Sequence, residues 1–308
     1  MFNTLKWRMR EWKRELCLLP RKSRRCVVAL YYYHTIAQRK HCIYVKFPKT
    51  CRLGNQMFMT AFGEALRERT GFTVLYYTKF TDYYLEAIDP WIFSRFRVLT
   101  FDIPMQTVIE EPTLLSDDSD EQIKEALSKG NVMISGFFED IRLLDISNLR
   151  KVHPRPSWVT NVLKRQYGDL SDAVSIHVRR GDFVGIGVSL GIEYYLKAMS
   201  LFPQGTTFIV ISDDLDWCKE NFKNCGARVI FASHCAKPDD TLYLDLFLPS
   251  LCLCGNILSG SSFSWWGSAL NDNPHVIRVM PQPWWNDADK HLYFTDTIII
   301  ETKNLLSL

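Results

Sequence analysis

The run His177-Val178-Arg179-Arg180-Gly181-Asp182 closes an apolar stretch that begins at Ala173. Buried strands do not ordinarily finish in an imidazole, two guanidinium groups and a carboxylate. Arginine grips phosphate through a planar fork of N–H donors and keeps its charge at physiological pH. An arginine here can neutralise the charge that grows on a departing diphosphate, which stabilises a transition state without a metal. In an extended chain His177 and Arg179 face one way and Arg180 the other. One arginine then meets a ligand while the second holds an acidic neighbour. The competing reading is a structural ion pair of Arg179 and Arg180 with Asp182 or another carboxylate. For His177 taken alone, it is a satisfied core histidine.

Three further groups stand at equivalent places. Ser259-Gly260-Ser261-Ser262 ends a later apolar run and opens a helical pattern, and hydroxyls with free N–H groups at a helix start bind anions. Ser212-Asp213-Asp214 follows another run, and Asn55 and Gln56 follow the first strand of the other half. Together they suggest a nucleotide diphosphate held between arginine and a serine-rich helix start.

The elements that must position these residues alternate in type. "CIYVKF" (42–47) reads as a strand, 53–71 as a helix stopped by Gly71, and "TVLYY" (73–77) as a strand. Residues 78–130 give an acidic loop and a short helix, and 131–140 a strand and a turn. The proline-marked stretch 153–158 suggests a domain boundary near 150–172. Beyond it strands are expected at 172–178, 206–212, 227–233, 255–260 and, last, 275–281. Helices are expected between them at 192–202, 214–222, 239–252 and 262–271. Such alternation implies a parallel sheet covered on both faces, whose ligands bind at the carboxyl ends of the strands.

Charge is unevenly spread along the 308 residues. Residues 1–40 carry eleven Lys or Arg against two Glu, although the whole chain is only +3, so the body is net acidic. An acidic body argues against nucleic acid as the main ligand. Phe2, Leu5, Met9, Trp12, Leu16 and Leu19 recur at helical spacing, and Pro20 ends the pattern. That helix suits either the surface of an anionic membrane, through residues 1–20, or packing on the body with a solvated basic face. The apolar run 26–33 falls short of the roughly 20 residues needed to span a bilayer. Nine cysteines in apolar surroundings and the lack of any Asn-x-Ser/Thr acceptor fit free thiols in a reducing compartment. The expected location is cytoplasmic, with peripheral contact on the inner face of the membrane.

"HVRRGDFVGIG", "GNQMF" followed by Ala61, and "SSFSWWGSAL" resemble the α-1,2-fucosyltransferases of glycosyltransferase family 11, especially bacterial ones. The resemblance runs from about residue 42 to 285. It implies a GT-B-type fold: two facing Rossmann-like α/β domains with a donor-binding cleft between them. The expected division is a basic extension 1–40, an acceptor-side domain 41–165 and a GDP-fucose-binding domain 166–308. It also implies GDP-fucose as donor, no cofactor, no metal, and inverting transfer to the 2-hydroxyl of a terminal β-galactose in surface-polysaccharide or O-antigen synthesis. By the same resemblance Arg179 is the arginine on the donor β-phosphate and Arg180 its supporting partner. His177 lies at the nucleoside, Asp245 at guanine, Ser261 and Ser262 at the phosphates, and Asn55 at the cleft. Asp182 is the motif carboxylate nearest to the role of general base. Cys51-Arg52 depart from the family, which has two glycines before its "LGN". Asp214-x-Asp216 matches the pattern of metal-dependent glycosyltransferases, but Ser212 before acidic residues in a first helical turn is ordinary capping. Trp265 and Trp266 are suited to stacking on sugar or base, yet in an apolar helix they read as core. Alternatives are a fucosyltransferase of α-1,6 or α-1,3 linkage and a non-catalytic basic membrane-associated protein.

Overall fold

The structure is a computed structural model that describes residues 41–48, 50–77, 89–99, 107–234, 236–285 and 291–302. The expected helix at 2–19 and the whole basic extension lie outside the described residues. Among the described residues no helix is long and apolar enough to cross a membrane.

The chain divides into two compact units, Met1–Phe138 and Glu139–Leu308. In the first, β1 (Ile43–Lys46), β2 (Val74–Tyr77), β3 (Val98–Leu99), β4 (Thr107–Glu110) and β5 (Val132–Ser135) form one sheet in the order β3-β2-β1-β5-β4. Every pairing in it is parallel. Parallel strands need crossovers, which α1 (Leu53–Thr70), α2 (Pro90–Arg95) and α3 (Ser119–Lys129) supply. β2 is buried along all four of its residues, as a sheet covered on both faces requires. Gly71 closes α1 at φ 71°, a left-handed turn that a glycine adopts without a Cβ clash.

The second unit opens with α4 (Leu149–Val152) and α5 (Ser157–Tyr167) and continues through β6 (Ala173–Val178) and α6 (Gly181–Gly185). α7 (Ile192–Met199), β7 (Thr207–Ser212), α8 (Leu215–Phe222), β8 (Arg228–Phe231) and α9 (Pro238–Phe247) follow. β9 (Gly255–Ile257), α10 (Ser262–Ala269), β10 (Ile277–Gln282) and β11 (Thr297–Glu301) complete it. Its sheet has the order β11-β10-β9-β6-β7-β8, again wholly parallel. The core packs Val174, Ile176 and Val178 of β6 with Tyr194, Tyr195, Phe208, Val210 and Phe222. The expected pair of Rossmann-like α/β units, the constituents of a GT-B-type fold, is what this chain forms.

The division at 138/139 comes earlier than the 165/166 division expected from the sequence. Prolines set helix starts here instead of breaking a domain, with Pro156 as the N-cap of α5. Arg155 then donates to Ser250 Oγ at 2.6 Å and pairs with Asp272, while Gln166 donates to the Ser233 carbonyl. These bonds tie residues 139–167 to the second unit. β10 is not the last strand, because β11 pairs along its outer side. The expected helix 239–252 ends at Phe247 and passes into a 3-10 turn at Pro249, where proline removes an N–H donor.

Candidate active site

In the second sheet the strand order reverses between β6 and β9, and doubly wound sheets bind ligands outside the strand ends at such a point. The two strands run side by side, with Ile176 opposite Ile257. His177 Nδ1 lies 2.9 Å from Ser259 Oγ, a hydrogen bond that ties the two strand ends together. The His177 ring is tilted against Phe263 at a centroid distance of 5.6 Å. Burial, reinforced by the Arg179 charge, pushes the His177 pKa down to about 3. The imidazole is therefore neutral at physiological pH and acts as a hydrogen-bonding wall, not as a proton carrier.

β6 ends at Val178, so the two arginines have left the strand when their side chains diverge. Arg179 pairs with Asp182 at 2.5 Å and with Asp213 at 2.7 Å. Arg180 takes another direction, with Nε 3.2 Å from Asp214 and its guanidinium carbon 4.2 Å from the Trp217 ring centre. Asp213 also accepts the backbone N–H of Arg180 at 2.9 Å. It can do so because residue 181 is glycine: a Cβ there would lie 2.5 Å from Asp213 Oδ2. Ser189 Oγ donates to the Arg179 carbonyl at 3.3 Å. One carboxylate thus fixes both arginines, one through its side chain and the other through its backbone.

The acidic residues after β7 divide their work. Asp214 caps α8 by accepting from the Trp217 N–H at 3.1 Å, while Asp216 is 97% exposed and bonds only Lys219 among the interactions described. The Asp-x-Asp pattern is accordingly a helix cap, as the capping argument anticipates. Asp213, grouped in the sequence with Ser212 and Asp214 at the strand end, is the anchor of the arginines. Cys218 on α8 is pushed up to about 11 by burial, so it stays a thiol and offers no nucleophile.

The serine-rich turn meets β6 from the other side. Ser261 is the N-cap of α10 without capping it through its side chain, and the intrahelical ladder begins only with Trp265 donating to the Ser261 carbonyl. The first turn therefore aims N–H groups out along the helix axis, as anion-binding helix starts do. Ser261 is buried and Ser262 half-buried. Trp265 and Trp266 are fully buried, which makes them core. Trp265 Nε1 donates to the Leu292 carbonyl at 2.8 Å.

Asp245 lies on α9 and accepts from His234 Nε2 at 2.7 Å. The His234 ring, beyond the end of β8, stands edge-on to Tyr167 at 5.9 Å. Sequence reasoning missed His234, whose partner lies eleven residues on across a turn and a helix. Asn55 sits in the first unit, in the first turn of α1. The structure thus brings His177, Arg179, Arg180, Asp182 and the serine turn to one switch point, and gives Asp245 a partner of its own.

The family model for glycosyl transferase family 11 matches residues 136–296, just over half of the chain, and the chain belongs to that family. It is 30% identical over 172 residues to an α-1,2-colitosyltransferase of Escherichia coli, covering 51% of this chain and 57% of that protein. It is 31% identical over 150 residues to the Escherichia coli O-antigen biosynthesis glycosyltransferase WbnK, covering 45% and 48%. The chain spans about half the length of these curated relatives. The solved structure of fucosyltransferase NodZ from Bradyrhizobium aligns with a TM-score of 0.46 at 13% identity, over 78% of this chain and 95% of that one.

Proposed function

We propose that this protein transfers L-fucose from GDP-fucose to the 2-hydroxyl of a terminal β-galactose, with inversion at the anomeric carbon and without a required metal. Membership of family 11 and the likeness to α-1,2-linking relatives support the reaction class. The observation that carries the reading is the His177–Ser259 bond, which joins the arginine-bearing strand end to the serine-rich helix start. In this reading Arg179 takes the β-phosphate, Arg180 braces it, and Ser261 and Ser262 add donors at the phosphates. His177 borders the nucleoside and Asp245 reads guanine, because a carboxylate accepts from N1–H and the N2 amine together. Asn55 is a donor-binding residue of the first unit.

The acceptor oxygen bonds to C1 as the bond from C1 to the diphosphate breaks. The hydroxyl proton passes to a carboxylate, for which Asp182 is proposed, and GDP departs with its growing charge met by Arg179. Asp182 is held through Oδ1 by Arg179, which keeps the carboxylate beside the arginine proposed to meet the diphosphate. A second reading, transfer of the 3,6-dideoxy sugar colitose, is favoured by the colitosyltransferase likeness. Incubation with GDP-fucose or GDP-colitose, EDTA and a panel of β-galactosides tests both. We expect 2-linked product from GDP-fucose in EDTA. Product at another hydroxyl, or turnover from GDP-colitose alone, overturns the first reading.

A further inference from the structure

An aromatic ring stands beside Arg179 and a second ring stands beside the first, and the scheme above uses neither. Phe183, in the middle of α6, lies with its ring centre 5.6 Å from the Arg179 guanidinium carbon. The Trp285 ring is tilted against Phe183 at a centroid distance of 6.4 Å. The Trp285 backbone passes Gly260 so closely that a Cβ there would lie 3.3 Å from its nitrogen. The two rings therefore connect the arginine loop with the serine turn of α10. Trp285 is nevertheless 47% exposed and is held at φ 49°, a left-handed conformation that bulky residues rarely adopt. Strained residues of this kind persist where surroundings impose them and gather at ligand sites. Val184 and Ile186 extend the exposed apolar surface along the same loop.

We propose that Phe183 and Trp285 form an aromatic wall that packs on the methyl-bearing side of the donor sugar, so that the site selects a sugar with a methyl group instead of a hydroxymethyl at C5. The inference rests on the donor reading given above. A sugar bonded to a diphosphate that spans Arg179 and α10 must lie within reach of the same two elements, and Phe183 stands on the first while Trp285 passes Gly260 just before the second. A methyl group on an aromatic face gains from losing water. A hydroxymethyl brings a hydroxyl to which neither ring offers a hydrogen-bond acceptor of ordinary strength, so its desolvation goes uncompensated.

The test compares GDP-L-fucose with GDP-L-galactose, its 6-hydroxy counterpart. An apolar pocket discriminates one hydroxyl by up to about 10²-fold, so wild-type kcat/KM should favour fucose by about 10- to 100-fold. Trp285→Ala and Phe183→Ala should bring that ratio to within about threefold, chiefly by loss with GDP-fucose. Trp285→Phe should keep most of the preference, and GDP affinity by calorimetry should match wild type in all three. Phe183→Leu replaces Phe183→Ala if the latter does not fold. An unchanged ratio in both truncations, or an effect confined to acceptor KM, overturns the aromatic wall while the donor reading stands. A wild-type protein that neither binds GDP nor uses GDP-fucose sinks both.

Discussion

Behind β1 the chain turns at Cys51-Arg52 and enters α1; behind β6 it turns at Arg179-Arg180 and enters α6. These are matching places in two Rossmann-like units. α1 runs for 18 residues and is buried along much of its length. Its buried polar side chains, Gln56 and Thr60, bond to backbone groups. Gln56 donates to the Cys51 carbonyl at 3.1 Å and accepts from the Asp89 N–H at 2.8 Å. Thr60 Oγ1 donates to the Gln56 carbonyl at 2.9 Å. α6 has five residues and none of them is buried. Its one polar side chain, Asp182, bonds Arg179 in the turn before it, at the protein surface, where a ligand is able to compete for the arginine. A long buried helix consumes its polar groups, whereas a short one at a switch point leaves them open to exchange.

The comparison breaks first at Arg179. Arg179→Ala should lower kcat/KM for fucosyl transfer by about 10²–10³-fold, the cost of losing one well-placed donor to transition-state charge. Its melting temperature should change little, because the guanidinium serves exposed carboxylates and no core. Near-normal turnover would place the charge stabilisation elsewhere and remove the contrast between the two helix starts. Gln56→Ala should do the reverse. It removes the Gln56 amide from the buried Cys51 carbonyl and the half-buried Asp89 N–H, which costs about 1–3 kcal/mol in denaturant unfolding. Donor KM should stay at the wild-type value, and a raised donor KM at unaltered stability would give Gln56 a binding role beside the one proposed for Asn55.

The smallest effect is one of pH. His177, held near 3 by burial and by Arg179, should show no titration of its ring signals by NMR between about pH 5 and 8. In the unfolded chain the ring binds a proton below about pH 6.5. The neutral buried ring therefore favours folding above that pH, and this contribution is lost as pH falls from about 6.5 toward 3. A ring that titrates near 6.5 in the folded protein would mean that the β6–β9 junction is open to water.

The second unit was legible because its strands and helices alternate without interruption from Ala173 to Ala269, each apolar run closed by polar residues. α2 escaped because it is barely more than one turn, although Asp89 before Pro90 is the cap-and-proline signal of a helix start. β3, of two residues, and the half-exposed β4 carry too little alternation to register. Among the site residues, the grouping of His177, Arg179 and Ser261 at strand ends followed from topology alone. The role of Asp213 did not. Adjacent aspartates look identical in a sequence, and the close approach allowed by Gly181 lets Asp213, not Asp214, hold both arginines. The pair of His234 with Asp245 was hidden for the same reason, since a turn and two helical turns separate the partners.

Asp213 has a consequence for how an anion arrives. Two guanidinium charges in this cluster face three carboxylates, Asp182, Asp213 and Asp214. Their formal sum is negative, so the cluster projects no attractive field toward distant anions. Free phosphate or sulfate meets arginines that are already paired with carboxylates. Recognition is decided at contact range, by a ligand that brings enough additional bonds to displace an internal carboxylate. The strand end is thereby shielded from the small anions that surround it in any cell, and its occupancy should depend only weakly on ionic strength.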